Sequence, residues 1–468
     1  MSDPNERPYW NMEIETKLNT PAMREIQLRN LRDMLRFMYT RSGLWKRLWD
    51  RERIDVEKIE TLEDFKKAFP VYTKDNLRNL LMTEYIDRLG EGLMSIAREF
   101  FCVPPEKIVL ICSTSGTTGE PTPYPFTKRE LEINTESLAR ACWRMGIRPG
   151  NLIVHAMGLS MFGAGVPVVI AMTQWGVTCI PLGAEAGSDR LLNFLRMLGL
   201  AYPQIDGMFI TPSFAEYVSE RCYEVIGQQA SSLKVRRLIC GGEPGAGIPE
   251  VRKKLEAAWN ARLFDGMGLG PFAFVSCDTD AYYGMHFITE DNALLEIVDP
   301  ETMESLPLED GATGLLVMTP LQGESMTVVR HTPGDVVQVF TEPCPCGQTG
   351  MRIKMIGRTD DMLKVKGVMV YPAAIDNVIT GFVPRVTGEF RIVLEEPPPR
   401  VTPPLKLKVE YGPSVRSDEE RAALAKEISE TMSRLIKVNP HITWVAPGSL
   451  ERTAHKTRYI EKAYEKKS

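Results

Sequence analysis

Along residues 21–39, "PAMREIQLRNLRDMLRFMY", the apolar positions Ile26, Leu28, Leu31, Met34, Leu35 and Met38 recur near helical spacing between arginines and aspartate. That pattern predicts an amphipathic helix with one face in a core. Further on, short apolar runs alternate with helical ones: "NLIVHAMGL", "GVTCIPLG", "SDRLLNFLRMLGL", "GMFITPS", "VRRLICGGE", "PEVRKKLEAAWN" and "ARLFDGMGLG". Strands separated by helices predict an α/β core with parallel strands, whose ligands sit at the carboxyl ends of the strands. From about Ala293 to Phe340 the texture changes to short strands punctuated by turns. A last break falls at "GRTDDMLKVKG" (Gly357 to Gly367), after which helix and strand return with the loop "EEPPPRVTPP" between two strands. The expected fold class is α/β. A large N-terminal domain of several subdomains with mixed sheets spans 1–359 and includes a β-rich subdomain over about 293–357, and a small α+β C-terminal domain spans 360–468.

Composition narrows the classes. A chain of 468 residues, 43% hydrophobic and 25% charged, exceeds a single hydrophobic core and has ordinary globular proportions. Its net charge of −5 and the lack of a long basic run argue against nucleic acid as a partner. "MSDPNERPYW" has no apolar signal region, and "MFGAGVPVVIAMT" (Met161 to Thr173), the best membrane candidate, contains Pro167 and falls short of the ~20 residues a spanning helix needs. It reads as buried core, so no membrane partner is expected. Nine cysteines at uneven spacing are unlike a disulfide framework and fit a reducing cytoplasm; Cys112, Cys179 and Cys240 lie in apolar runs and read as core.

The candidate chemistry begins directly after the apolar run "KIVLIC", where "STSGTTGEPTPYP" (Ser113 to Pro125) follows a predicted strand. Small hydroxyl residues and glycines let a backbone approach a polyanion closely and offer N–H and O–H donors to phosphate. The composition alone also suits a solvated turn, and the Walker pattern is absent. "GMGLG" lacks the third glycine and the later acidic residue of a dinucleotide fingerprint. The order of residues in "TSGTTGEPT" says more: it resembles the phosphate loop of the adenylate-forming enzymes, the superfamily of acyl-CoA synthetases, luciferases and peptide-synthetase adenylation domains.

Further motifs extend that resemblance over nearly the whole chain and point to its phenylacetate-CoA ligase branch. "GGEP" (Gly241 to Pro244) resembles the adenine-side segment, "HTPGDVV" (His331 to Val337) the ribose segment, "IGRTDDMLKVKGVMVYPAAID" (Ile356 to Asp376) the hinge, and "PGSLERTAHKTR" (Pro447 to Arg458) the segment with the catalytic lysine. By resemblance, the nucleotide is bound by Ser113, Thr114, Ser115, Gly116, Thr117, Thr118, Gly119, Gly242, Glu243, Pro244, Asp265, Asp335 and Arg358. Asp335 would hold both ribose hydroxyls, which suits a carboxylate that accepts two hydrogen bonds at once; read locally it is equally a turn residue. Arg358 would meet ribose and phosphate, or pair with Asp361 on the surface. Asp360 would be the pivot of a C-terminal lid, and Lys456 would be catalytic, its local alternative being a solvated lysine in a basic tail.

The resemblance implies a two-step reaction with ATP, Mg²⁺ and coenzyme A (CoA): a carboxylic acid is adenylated, then passed to the thiol. An aromatic, phenylacetate- or benzoate-like acid is expected, in a pocket to which Met157, Met161, Phe162, Met267 and Phe272 give an apolar cast. The resemblance also leaves room for a homodimer. Cys344 and Cys346 in "EPCPCGQTG" stand close enough to face one centre, and Cys277 and His286 in "SCDTDAYYGMH" resemble a segment of the same branch. Together they make a Cys3His set suited to structural Zn²⁺; taken apart, they are buried thiols and a surface histidine. Four departures stand out. Glu120 occupies a position where lysine is usual, Met267 replaces a tyrosine, the Thr/Ser-Glu pair that helps hold magnesium gives way near Gly270-Pro271, and His455 precedes the lysine in place of glycine. These motivate a rival expectation, a nucleotide-binding protein of this fold with lost or altered ligase activity, or an enzyme passing the acyl group to an amine or carrier thiol.

Overall fold

The computed structural model describes residues 6–77, 99, 101–113, 123–268, 271–277, 283–325, 327–366, 368–451 and 459–465. Its N-terminal segment is helical, with α1 (Pro21–Arg41), α2 (Gly43–Arg51) and α3 (Leu62–Ala68). Thr20 caps α1 by accepting from Met23 N, with Pro21 at the first helical position, where a missing N–H costs nothing. The buried stripe of α1 is Met23, Gln27, Leu31, Met34, Leu35 and Met38, while Ile26 and Leu28 are half-buried. Gln27 replaces an apolar residue there because its side-chain amide donates to Glu290 O (3.0 Å) and Ala293 O (3.3 Å).

β1 (Leu110–Ser113) and β2 (Pro123–Phe126) form a separate antiparallel ribbon. The apolar run before the hydroxyl-rich loop is therefore a short ribbon strand outside the main sheet, with Val109 and Ile111 49% and 53% exposed. Its partner "PYPF" carries two prolines, which lack the N–H groups a longer ladder needs.

The large sheet is built from β3 (Leu152–His155), β4 (Thr178–Pro181), β5 (Gly207–Ile210), β6 (Arg237–Cys240), β7 (Arg262–Met267), β8 (Phe274–Ser276), β9 (Met285–Phe287), β10 (Ala293–Val298), β11 (Ser305–Leu306), β12 (Thr313–Pro320), β13 (Asp335–Phe340) and β14 (Arg352–Arg358). The connecting helices are α4 (Lys128–Arg144), α5 (Val166–Trp175), α6 (Gly187–Ala201), α7 (Pro212–Ile226) and α8 (Pro249–Trp259). The twelve strands run in the order β11-β10-β12-β13-β14-β9-β8-β7-β6-β5-β3-β4. β4, β3, β5, β6 and β7 pair in parallel, as the strand–helix alternation predicts, and every pairing from β7–β8 onward is antiparallel. The β-rich stretch therefore continues the edge of the parallel core.

The C-terminal residues form β15 (Leu363–Val365), β16 (Val368–Val370), α9 (Pro372–Thr380), β17 (Val386–Leu394), β18 (Arg400–Val401), β19 (Leu405–Tyr411), α10 (Asp418–Ile436), β20 (Pro440–Val445) and β21 (Ile460–Lys462). They make a three-stranded and a four-stranded sheet around their own apolar cluster, which includes Ile375, Phe390, Leu407 and Ile428. This is the small α+β unit expected from the sequence. It docks through Tyr371, whose ring lies where a side chain at Gly357 would be: a Cβ built there would fall 2.5 Å from the Tyr371 ring. Among the described residues no helix is long and apolar enough to cross a membrane. In "MFGAGVPVVIAMT" the expectation of buried core holds for Val168, Ala171 and Met172, but Met161 and Phe162 are 56% and 39% exposed. They precede α5, so no helix face carries them inward.

Buried ion pairs cross-link distant segments: Glu15 near the N-terminus with Arg144 on α4 (2.8 Å), Asp291 just before β10 with Arg140 on α4 (2.7 Å), and Glu296 on β10 with Arg330 (3.0 Å). Arg330 also donates to Lys66 O, Phe69 O and Ser305 Oγ, so one guanidinium joins α3 to β10 and β11. Replacing it with methionine leaves Glu296 buried without its counter-ion, which typically costs about 3–5 kcal/mol. The expected result for Arg330→Met is a lower denaturant midpoint at an unchanged slope.

Candidate active site

The carboxyl ends of β3, β5, β6 and β7 lie side by side, and the residues that follow them form one surface. A Cβ at Gly241 would sit 2.6 Å from Gly266 O, so the ends of β6 and β7 can approach this closely only with glycine there. Gly242 takes φ +84°, and Glu243 turns toward α7, where its carboxylate accepts from Ser213 N at 2.6 Å. A carboxylate suits this place because the first N–H groups of a helix have no partner of their own. Pro244 opens a short 3-10 turn, Pro244–Gly247. Asp265 is buried on β7, opposite Cys240 on β6. Burial, with the charges of Asp265 and Glu243, pushes the Cys240 thiol well above its ordinary range and leaves it neutral.

Behind this rim a cavity of about 270 Å³ reaches from Gly242 and Gly266 to α4. Met157, Met267 and Phe272 line it as the sequence suggests, together with Leu138 and Val168. Met161 and Phe162 are not among its walls; Met161 O instead accepts from Ser113 N (2.6 Å), which holds the end of β1 beside the site. Two polar residues of the wall, Asn134 and Ser137, escaped the sequence reading. The available signal was helical spacing, since Asn134, Ser137, Leu138, Ala141 and Met145 share one face of the chain around α4.

Asp335 and Arg358 are direct partners across β13 and β14, with Arg358 Nη1 donating to Asp335 Oδ1 at 2.5 Å. Arg358 Nη2 donates to Asp360 Oδ2 (2.9 Å) and Pro333 O (2.9 Å). Burial lowers the pKa of the guanidinium, but Asp335, Asp360 and Asp361 outweigh it and hold the group above its ordinary value. The predicted ribose carboxylate and the predicted ribose-phosphate arginine are thus brought together at the hinge.

Thr114, Ser115, Gly116, Thr117, Thr118, Gly119 and Glu120 lie outside the described residues, as do Gly270, His455 and Lys456. The flanks of the lysine segment are described. Arg391 donates to Glu451 O, and Ile392 N donates to Tyr459 O at 2.7 Å, so both ends of residues 452–458 are tied to neighbouring positions of β17. Tyr459 also donates to Asp376 Oδ2 on α9 (2.9 Å). Glu451, Tyr459 and Asp376 line one cleft with Ser213, Glu216 and Glu243 of the large domain.

At the other end of β8 and β9, Cys277, His286, Cys344 and Cys346 place their donor atoms within 4.8 Å of one another. Cys277 Sγ lies 3.8 Å from Cys344 Sγ, and Cys346 Sγ lies 3.4 Å from His286 Nε2. His286 is fully buried, not a surface histidine, and its Nδ1 faces Thr349 O (3.0 Å) and Gly350 O (3.2 Å). Two carbonyls there require Nδ1 to carry the proton, which turns the lone pair of Nε2 toward the thiols.

Burial pushes Asp376 up to about 7, with Glu389, Glu216 and Glu243 adding to the shift and the Tyr459 hydrogen bond opposing it. A carboxyl raised in the folded state contributes stability that is complete below its ordinary value of 3.8 and is lost as pH rises to about 7. Asp376→Asn removes that dependence. Melting temperatures at pH 5 and pH 8 are expected to fall less for the variant than for the parent.

Comparison with known proteins agrees with this geometry. Residues 50–323 match the AMP-binding enzyme family, and residues 367–462 match the AMP-binding enzyme C-terminal domain. The phenylacetate-coenzyme A ligase of Thermus thermophilus is 30% identical over 460 residues, covering 94% of this chain and 96% of that one. The Escherichia coli K12 protein of the same name is 25% identical over 449 residues, 95% of each chain. A crystal structure of 2-hydroxyisobutyryl-CoA ligase in the postadenylation state, in complex with R3-HIB-AMP, is similar with a TM-score of 0.85 at 25% identity, covering 100% of this chain and 95% of that one. The same enzyme in the thioesterification state, covered 99% and 94% at 26% identity, scores 0.68. The whole-chain arrangement is thus closer to the postadenylation state. The chain belongs to the AMP-binding enzyme family, beside the phenylacetate-coenzyme A ligases.

Proposed function

We propose that this enzyme is an ATP-dependent ligase that joins an apolar, aromatic carboxylic acid to CoA through an acyl-adenylate. The acid's carboxylate attacks the α-phosphorus of ATP and pyrophosphate leaves; the CoA thiol then attacks the acyl carbon, AMP leaves, and the thiol proton passes to solvent. The cavity behind Gly242 and Gly266 takes the apolar part of the acid and leaves its carboxylate at the strand ends. Gly242, Glu243, Pro244 and Asp265 frame the adenine side, Asp335 accepts from the ribose hydroxyls, and Arg358 orients Asp335 while facing ribose and phosphate. The loop over Ser113 to Gly119 receives the phosphates with their Mg²⁺. Lys456 supplies a cation where charge gathers on the phosphate oxygens, an interaction stronger in the transition state than before it.

The observation that supports this reading is the anchoring of Glu451 and Tyr459, on either side of residues 452–458, to neighbouring positions of β17 and their place in the cleft that also holds Glu243. A lysine on such a segment is delivered to the nucleotide side by the domain as a whole, and domain rotation can withdraw it for the thiol step. The rival reading, nucleotide binding without ligation, is disfavoured by a similarity to CoA ligases that spans nearly the whole chain. Lys456→Ala is expected to lower acid-dependent pyrophosphate release by roughly 10²–10³-fold; an unchanged rate refutes its role. Tight AMP binding in calorimetry without any acid-stimulated turnover refutes ligation.

Cys277, His286, Cys344 and Cys346 are assigned to a structural Zn²⁺. The fit is one of donor chemistry and size: bonds of about 2.3 Å to a tetrahedral ion put sulfurs about 3.8 Å apart, and Cys277 and Cys344 lie at 3.8 Å. These residues would hold the ion closed to solvent and tie the loop between β13 and β14 to β8 and β9. Metal analysis is expected to find one zinc per chain, and Cys344→Ser to lose it and melt at a lower temperature; a zinc-free parent protein of full stability refutes the assignment.

A further inference from the structure

We infer that Ser137 is a specificity determinant, selecting acids that bear an uncharged hydrogen-bonding substituent, such as a ring hydroxyl, at the end remote from the carboxylate. The inference rests on the ligase reading above and names its substrate class more closely.

Ser137 lines the cavity from α4 and is 3% exposed, and its Oγ has no hydrogen-bond partner among the described residues. A serine within a helix commonly donates back to the carbonyl four residues earlier, as Thr135 of the same helix does to Leu131 O (2.8 Å). Ser137 makes no such bond. A buried hydroxyl in this state has lost water and gained nothing, a cost that a ligand group can recover.

One turn earlier, Asn134 also faces the cavity, and its Nδ2 donates to Pro167 O (3.0 Å), which fixes the carboxamide beside Ser137. Most of the remaining wall is apolar, with Phe209, Phe272, Phe274, Met157 and Met267 among its larger side chains. No Asp, Glu, Lys, Arg or His is among the described residues lining it. A second charge on the substrate would be desolvated there without a counter-ion, so the remote substituent is polar and neutral.

Size agrees. A cavity of about 150 Å³ accepts benzene, and the 270 Å³ here leaves room for a ring, its substituent and the mouth at Gly242. With the carboxylate at the strand ends, the distal end of the acid meets α4, where Ser137 stands.

The test compares the parent protein with Ser137→Ala, using phenylacetate and its 2-, 3- and 4-hydroxy derivatives with ATP and Mg²⁺, and reads kcat/KM for pyrophosphate release. The parent is expected to favour at least one hydroxy acid over phenylacetate by roughly tenfold, and Ser137→Ala to bring that ratio near one, since one neutral hydrogen bond is at stake. The melting temperature of the ligand-free variant should stay level or rise, because the hydroxyl has no bond to lose. A parent that turns over phenylacetate at least as well as every hydroxy acid overturns the inference alone. So does a variant that keeps the parent's ratio, or one that melts lower and loses activity equally toward all four acids. No acid-dependent pyrophosphate release from the parent with any of them overturns the ligase reading for aromatic acids, and this inference with it.

Discussion

Arg358 stands where β14 leaves the large domain, and its guanidinium is shared between Asp335, Asp360 and the Pro333 carbonyl. Three acids gather here, Asp361 included, and without the arginine they would repel one another at the point where the two domains join. Charge-assisted hydrogen bonds of this kind are worth about 1.5–3 kcal/mol each. One guanidinium thereby sets the end of the sheet, the orientation of Asp335 and the first turn of the C-terminal domain. One residue earlier, Gly357 leaves the space that Tyr371 fills, so hinge and docking contact are adjacent in the chain.

From that fixed point the site divides by polarity. The side proposed for the nucleotide is built from backbone turns and carboxylates at the ends of β6, β7 and β13, where charge can be met by N–H donors and arginine. On the reading proposed above, the acid lies deeper, in the cavity between α4 and the same strands, where apolar walls would remove water from it and sharpen the effect of each remaining polar group. Gly241 lets the ends of β6 and β7 close on each other, because a side chain there would meet Gly266 O.

Glu451 and Tyr459, the described residues on either side of the segment that carries the proposed lysine, attach to adjacent residues of β17. Similarity to one enzyme captured in two states is greater for the postadenylation arrangement, with TM-scores of 0.85 and 0.68. The Asp376–Tyr459 bond beside that segment lies among Glu216, Glu243 and Glu389, so the interface between the domains carries a carboxyl whose charge depends on pH near neutrality.

The sequence by itself determined the features that short-range physics controls. Apolar periodicity marked α1 and the parallel strands, and the order of the motifs disclosed the family. Tertiary structure decided what depends on distant segments meeting. It joined the β-rich stretch to the parallel core as one sheet, left Met161 and Phe162 exposed, and placed Asn134 and Ser137 in the wall of the cavity behind β6 and β7. It also gathered Cys277 and His286 with Cys344 and Cys346, because β9 pairs with β8 on one side and β14 on the other. Spacing along a chain reports which face of an element a residue occupies, whereas the register between strands and the packing of a helix decide what that face meets.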